Sequence, residues 1–107
     1  MESAGLKAIL DELKQRLSDL YGDRLVELIL FGSQARGDAE DGSDIDVLVV
    51  LRGEVKLSRE IPYVNEVVAE LSLRNETVIT CVFMDEHDYT IRSGPFLRNI
   101  RREGVSV

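Results

Sequence analysis

A chain of 107 residues, 44% hydrophobic and 31% charged, has the size and composition of one folded domain and not those of a disordered segment. Twenty acidic residues against 13 Lys and Arg leave a formal charge of −7, which repels nucleic-acid phosphates and argues against a stand-alone nucleic-acid binder. One cysteine, Cys81, and one histidine, His87, exclude an intrachain disulfide and a Cys/His zinc centre, so metal chemistry would rest on carboxylates, which favours Mg²⁺ or Mn²⁺. The longest apolar stretch, Ile45–Leu51, is broken by Asp46 and falls far short of a membrane span. Residues 1–21 carry charge throughout and lack the apolar core of a signal peptide, so a soluble, cytoplasmic chain is expected.

Leu6, Ile9, Leu10, Leu13, Leu17 and Leu20 recur at helical spacing and predict an amphipathic helix over 3–20, with Gly22 as its stop. Leu25–Phe31 is short, apolar and β-leaning, a strand ending at Gly32. A short helix can start at Ser33 and run over 33–38, and residues 37–43 are turn-rich. Ile45–Leu51 reads as a second strand, buried on both faces in its C-terminal half. Ile61, Val64, Val67, Val68 and Leu71 predict a long helix over 58–73, in which Pro62 fits only the first turn. Thr77–Met84 is a third strand, rich in β-branched residues. A short helix over 85–92 and a last one, Phe96–Glu103, ended by Gly104, complete the chain. Strands separated by helices give an α+β fold, with a small mixed sheet packed by helices in a single domain over 1–107.

Chemistry concentrates in Gly32-Ser33-Gln34-Ala35-Arg36-Gly37 and Ser43-Asp44-Ile45-Asp46-Val47. On a strand, Asp44 and Asp46 face one side, about 6.6 Å apart along the chain, and can converge on a divalent metal. Two like charges there repel unless a cation offsets them; the plainer alternative is a solvated acidic strand end. Gly32 permits close backbone approach, and amides at the start of a helix attract phosphate oxygens. Ser33 adds a hydroxyl donor, or serves only as a helix N-cap. Arg36, one turn on, can reach a phosphate or form a surface ion pair. An anion-binding corner closing one strand, followed by a carboxylate pair opening the next, is the arrangement that nucleotidyl transfer from a nucleoside triphosphate requires.

Gly32-Ser33, ten residues, then Asp44-x-Asp46 resembles the signature of the DNA polymerase beta-like nucleotidyltransferase superfamily. More narrowly, the chain looks like a minimal nucleotidyltransferase, the MntA type of prokaryotic HEPN–MNT modules. The likeness runs over nearly the whole chain and includes the tail Asn99-Ile100-Arg101-Arg102-Glu103-Gly104-Val105. It implies a nucleotidyltransferase-like α+β fold and Mg²⁺- or Mn²⁺-dependent transfer of a nucleoside monophosphate, commonly AMP from ATP, to an acceptor hydroxyl. It implies that Gly32, Ser33 and Arg36 bind the nucleotide and that Asp44 and Asp46 bind the metal and carry catalysis. It also implies an antitoxin whose partner is a HEPN-domain toxin, modified on tyrosine by some members. The family usually carries a third carboxylate in the next strand, where alignment puts Thr80, a poor base and a weak metal ligand. Two functions therefore stay open: a working transferase, or a nucleotide-binding antitoxin that neutralises its partner by contact. A chain this small has too little surface to enclose nucleotide and acceptor, so a partner or a second copy is expected to complete the cleft.

The remaining polar and aromatic residues read as structural. Cys81 lies in an apolar strand as an inert thiol. His87 sits in an acidic turn at the surface. Arg98, Arg101 and Arg102 form a solvated helix face, and Tyr21, Tyr63 and Tyr89 are aromatics at the core rim.

Overall fold

A computed structural model describes residues 3–37 and 44–107. The turn predicted over 37–43 therefore lies, apart from Gly37, outside the described residues, as does Ser43. Helix α1, Ser3–Tyr21, buries Ile9, Leu10, Leu13, Leu17 and Tyr21 at the spacing its sequence announces. Gly22 does not end the coil cleanly; Gly22–Arg24 forms one 3₁₀ turn that leads into β1, Leu25–Phe31. Helix α2 is four residues, Ser33–Arg36, shorter than expected because Gly37 turns left-handed with φ +80°. Strand β2, Ile45–Leu51, is followed by α3, Leu57–Arg74, then β3, Ile79–Asp85. Helices α4, Glu86–Ile91, and α5, Pro95–Glu103, precede β4, Val105–Ser106.

Among the described residues the strands form one sheet in the order β3-β2-β1-β4. Strands β1 and β2 are antiparallel, β2 and β3 parallel with α3 as the crossover, and β4 antiparallel to β1. The sheet is thus mixed, and the α+β expectation holds. Strand β2 is central: apart from Asp46, every residue of it is buried, on both faces. Helices α1 and α3 cover one face over Leu28, Leu30, Val47 and Val49. Helix α5 covers the other through Ile100 against Ile29, Leu48 and Val50. Asp46 alternates with Val47 and so belongs to the α5 face.

Strand β4 was not anticipated, since two residues carry no periodicity. Its place depends on Gly104, where an added Cβ would strike the Ile100 carbonyl and the Ile29 side chain. Glycine lets the chain leave α5 and lie directly along β1, where the Val107 amide donates to the Leu28 carbonyl at 2.9 Å.

The start of α3 corrects a second expectation. Pro62 lies in the second helical turn, not the first, because the helix begins at Leu57. The extension is held by Glu60, 1% exposed, whose carboxylate accepts the Lys56 amide at 3.0 Å and the Arg59 guanidinium at 3.0 and 3.2 Å. The Tyr21 hydroxyl lies 3.5 Å from the same carboxylate. Burial pushes the Glu60 pKa up, but Arg59, the Lys56 amide and Arg24 outweigh it and leave the carboxyl below its ordinary value. The stabilisation is complete above the unfolded-state value of about 4.3 and is lost as pH falls through the lower folded value. Glu60→Gln is expected to cost about 1–3 kcal/mol at neutral pH and to remove this share of the acid dependence, read from urea midpoints across pH.

Candidate active site

Gly32 joins β1 to α2 with φ +76° and ψ −157°, a backbone region that essentially only glycine occupies. A Cβ built there would lie 2.7 Å from Asp46 Oδ2. The glycine is therefore required twice, by its dihedrals and by the carboxylate it faces. The strand register explains this closeness: Phe31, the residue before Gly32, pairs directly with Asp46 across β1 and β2. Two sequence-predicted groups from different segments thus share one corner.

Asp46 is half-buried and Asp44, just ahead of the strand, is exposed. Burial raises the Asp46 pKa above the ordinary carboxylate value, and the Asp44 charge raises it further, so the two aspartates sense one another. A group of negative charge that is costly by itself is eased by a cation. Two hard oxygen donors, one of them partly desolvated, beside the Gly32 turn match how Mg²⁺ is held, through one or two carboxylates plus substrate phosphates. The residues present therefore fit the divalent ion.

Ser33 is the first residue of α2; Gly32 takes the N-cap position, and its carbonyl accepts the Ala35 and Arg36 amides at 3.1 Å each. The alternative of Ser33 as N-cap is thereby corrected: the left-handed Gly32 ends the strand abruptly and moves the helix start one residue earlier. Arg36 lies in the same short helix and pairs with Glu103 of α5 at 3.5 Å, which ties α2 to the last helix. Thr80 is the parallel-register partner of Asp46 on β3, on the same sheet face, and is exposed. Asp85 and Glu86 stand at the other end of the sheet, since Asp85 pairs with Leu51. Five residues at about 3.3 Å each separate Asp85 from Thr80, so neither acid reaches the corner.

The other residues weighed in the sequence fall into place around this. Burial pushes the Cys81 thiol up to about 12, which keeps it protonated and inert. His87 is exposed on α4 beside Asp85 and Asp88, a cluster whose potential ligand atoms lie within 4.8 Å of one another, at the far end of the sheet from Asp46. Arg101 is structural: it donates to the Tyr89 and Arg92 carbonyls at 2.6 and 3.1 Å and lies over the Tyr89 ring. Phe31 and Phe96 carry no motif in the sequence; the β1–β2 register pairs Phe31 with Asp46, and the packing of α5 sets Phe96 against Phe31.

Gly32→Ala is expected to drive a methyl group into the Asp46 carboxylate and to strain the turn by about 1–3 kcal/mol. Binding of Mg²⁺ with nucleotide is expected to fall well beyond what this loss of stability explains. Titration of the still-folded variant checks it, and unchanged affinity would remove Gly32 from the site.

The model of the nucleotidyltransferase domain matches residues 10–103. Among curated relatives in Methanocaldococcus jannaschii, one named "Putative protein adenylyltransferase MJ1305" is 34% identical over 94 residues, 87% of this chain, which spans 64% of that protein's length. A second, "Putative protein adenylyltransferase MJ0141", is 31% identical over 92% of this chain and 95% of its own length. Two crystal structures share the fold. One is a toxin–antitoxin with AMP-PNP, with TM-score 0.61 and 18% identity over 89% of this chain and 69% of that one. The other is a "putative nucleotidyltransferase" from Sulfolobus solfataricus, with TM-score 0.60 and 22% identity over 99% and 87%. With a glycine corner facing Asp46, Asp44 just ahead of the same strand and a family match over most of its length, the chain belongs to the nucleotidyltransferase domain family.

Proposed function

We propose that the chain transfers a nucleoside monophosphate, AMP from ATP, to a hydroxyl on a partner protein, and that this partner is a HEPN-domain toxin which the modification neutralises. The observation that carries the reading is the closeness of Gly32 to Asp46: a glycine turn with no room for a side chain, against a carboxylate that burial and a second negative charge make costly. The names of the archaeal relatives support adenylyl transfer, and the toxin–antitoxin neighbour with AMP-PNP supports the partner class and the nucleotide.

In this reading Gly32 and Ser33 orient the triphosphate, Arg36 flanks it, and Asp44 and Asp46 hold Mg²⁺ or Mn²⁺. The bound ion supplies charge neutralisation on the phosphates and the leaving group. The acceptor oxygen forms a bond to the α-phosphorus as the bond from that phosphorus to the bridging oxygen breaks, and pyrophosphate leaves. Thr80, beside Asp46, offers a neutral hydroxyl, so in this reading the base that takes the acceptor proton is supplied by the partner or the substrate. The test is incubation with ATP, Mg²⁺ and the neighbouring gene's product, followed by mass measurement of both chains. A gain of one AMP on the partner is expected; an unmodified partner would overturn transfer.

The second reading, a nucleotide-binding antitoxin acting by contact, is favoured by Thr80 alone. It predicts that neutralisation survives replacement of both aspartates.

A further inference from the structure

Helix α5 buries Leu97 and Ile100 against the sheet, yet Phe96, in its first turn, remains 41% exposed. Its ring stands edge-on to Phe31, with centroids 5.4 Å apart and planes at 89°. Phe31 is the register partner of Asp46 and shares its sheet face. Cross-strand neighbours on one face hold their Cβ atoms about 5 Å apart. Phe31 thus neighbours both Asp46, across the strands, and Phe96, through its ring, and links the aromatic pair to the carboxylate corner.

The placement of Phe96 is fixed, not incidental. Gly94 adopts φ +141° and ψ +171°, and Pro95 opens the helix, so the first turn of α5 is aimed by the backbone. The T-shaped contact orients Phe31 edge-to-face with Phe96 and leaves part of the Phe96 ring for a ligand. The Glu103–Arg36 ion pair at the other end of α5 ties the same helix to the segment that follows Gly32.

We propose that Phe96, backed by Phe31, is the stacking surface for the nucleotide base, and that it supplies affinity without reading base identity. The proposal rests on the reading of Gly32, Asp44 and Asp46 as the triphosphate and metal site. Every nucleobase presents a π-face, so an aromatic platform with no hydrogen-bonding group discriminates little between bases. Recognition of the base edge is left to other groups, including those a partner brings.

Three probes separate the parts of the site: ATP and GTP, which differ in their base, and inorganic tripolyphosphate, which has none. Each is titrated with Mg²⁺ into the wild type, Phe96→Ala and Phe96→Trp. Phe96→Ala is expected to weaken ATP and GTP alike by about tenfold to a hundredfold, the usual yield of one base–aromatic contact, and to leave tripolyphosphate unchanged. The chain contains no tryptophan, so Phe96→Trp introduces a single indole that can be excited apart from the three tyrosines. Its fluorescence is expected to be quenched by ATP and untouched by tripolyphosphate, with ATP affinity retained. ATP affinity unchanged in Phe96→Ala, or a tryptophan signal blind to ATP that the protein demonstrably binds, overturns the stacking role. Equal weakening of ATP and tripolyphosphate in Phe96→Ala also overturns it, since the residue would then act only through packing. Failure of the wild type to bind any of the probes would instead fault the triphosphate site itself.

Discussion

Replacing Asp44 and Asp46 together by asparagine is expected to abolish Mg²⁺-dependent transfer from ATP while leaving the fold intact. Loss of an ion that stabilises transition-state charge by several kcal/mol, about 4, corresponds to roughly 10³-fold in rate at 1.36 kcal/mol per tenfold. The same change relieves the apo protein. Asp46 is held partly out of water beside a second negative charge, so removing both charges is expected to raise the midpoint of thermal unfolding, or leave it unchanged, in the absence of metal. Activity lost together with stability would point to a structural role instead. Activity lost against equal or greater stability marks groups kept for chemistry at a cost to the fold.

Thr80→Asp is expected to act in the opposite direction. Thr80 lies beside Asp46 in the parallel register of β2 and β3 and faces the same way, so an aspartate there would join the pair at one corner. A positioned general base contributes about 10²–10⁴-fold to a proton-transfer-limited step. With Mg²⁺ present the variant is expected to transfer AMP faster by at least the lower figure. Without metal it is expected to be less stable than the wild type, because three carboxylates then crowd one strand end. Transfer that appears only in the variant would favour the contact-antitoxin reading of the natural chain. A variant no faster than the wild type would show that proton removal does not limit this site.

Most of the fold was legible in the sequence because its elements have strong periods. The stripe from Leu6 to Leu20 could only be a helix of this length, and Ile45–Leu51 is apolar on both faces because it became the central strand. The parts that escaped depend on contacts remote in sequence. Strand β4 exists because Gly104 lets two residues lie on β1, which no local pattern reports. The early start of α3 depends on a glutamate buried among two arginines and a tyrosine, and charge patterning assigns such a residue to the surface. For the candidate site, Gly32, Asp44 and Asp46 could be singled out as candidates from their spacing, and the glycine turn that faces Asp46 is a local property. The direction of Arg36 toward Glu103, and the meeting of Phe31 with Phe96, come from packing of the last helix and could not.

One corner, where Gly32 faces Asp46 and Asp44 lends a second charge, is proposed to gather a divalent ion and a triphosphate. Calorimetric titration of ATP into the wild-type chain, with Mg²⁺ and again with chelator, tests it most directly. Binding heat is expected with Mg²⁺ and is expected to disappear with chelator and in the Asp44→Asn, Asp46→Asn double variant. ATP bound as tightly without the metal, or by the double variant, would contradict it.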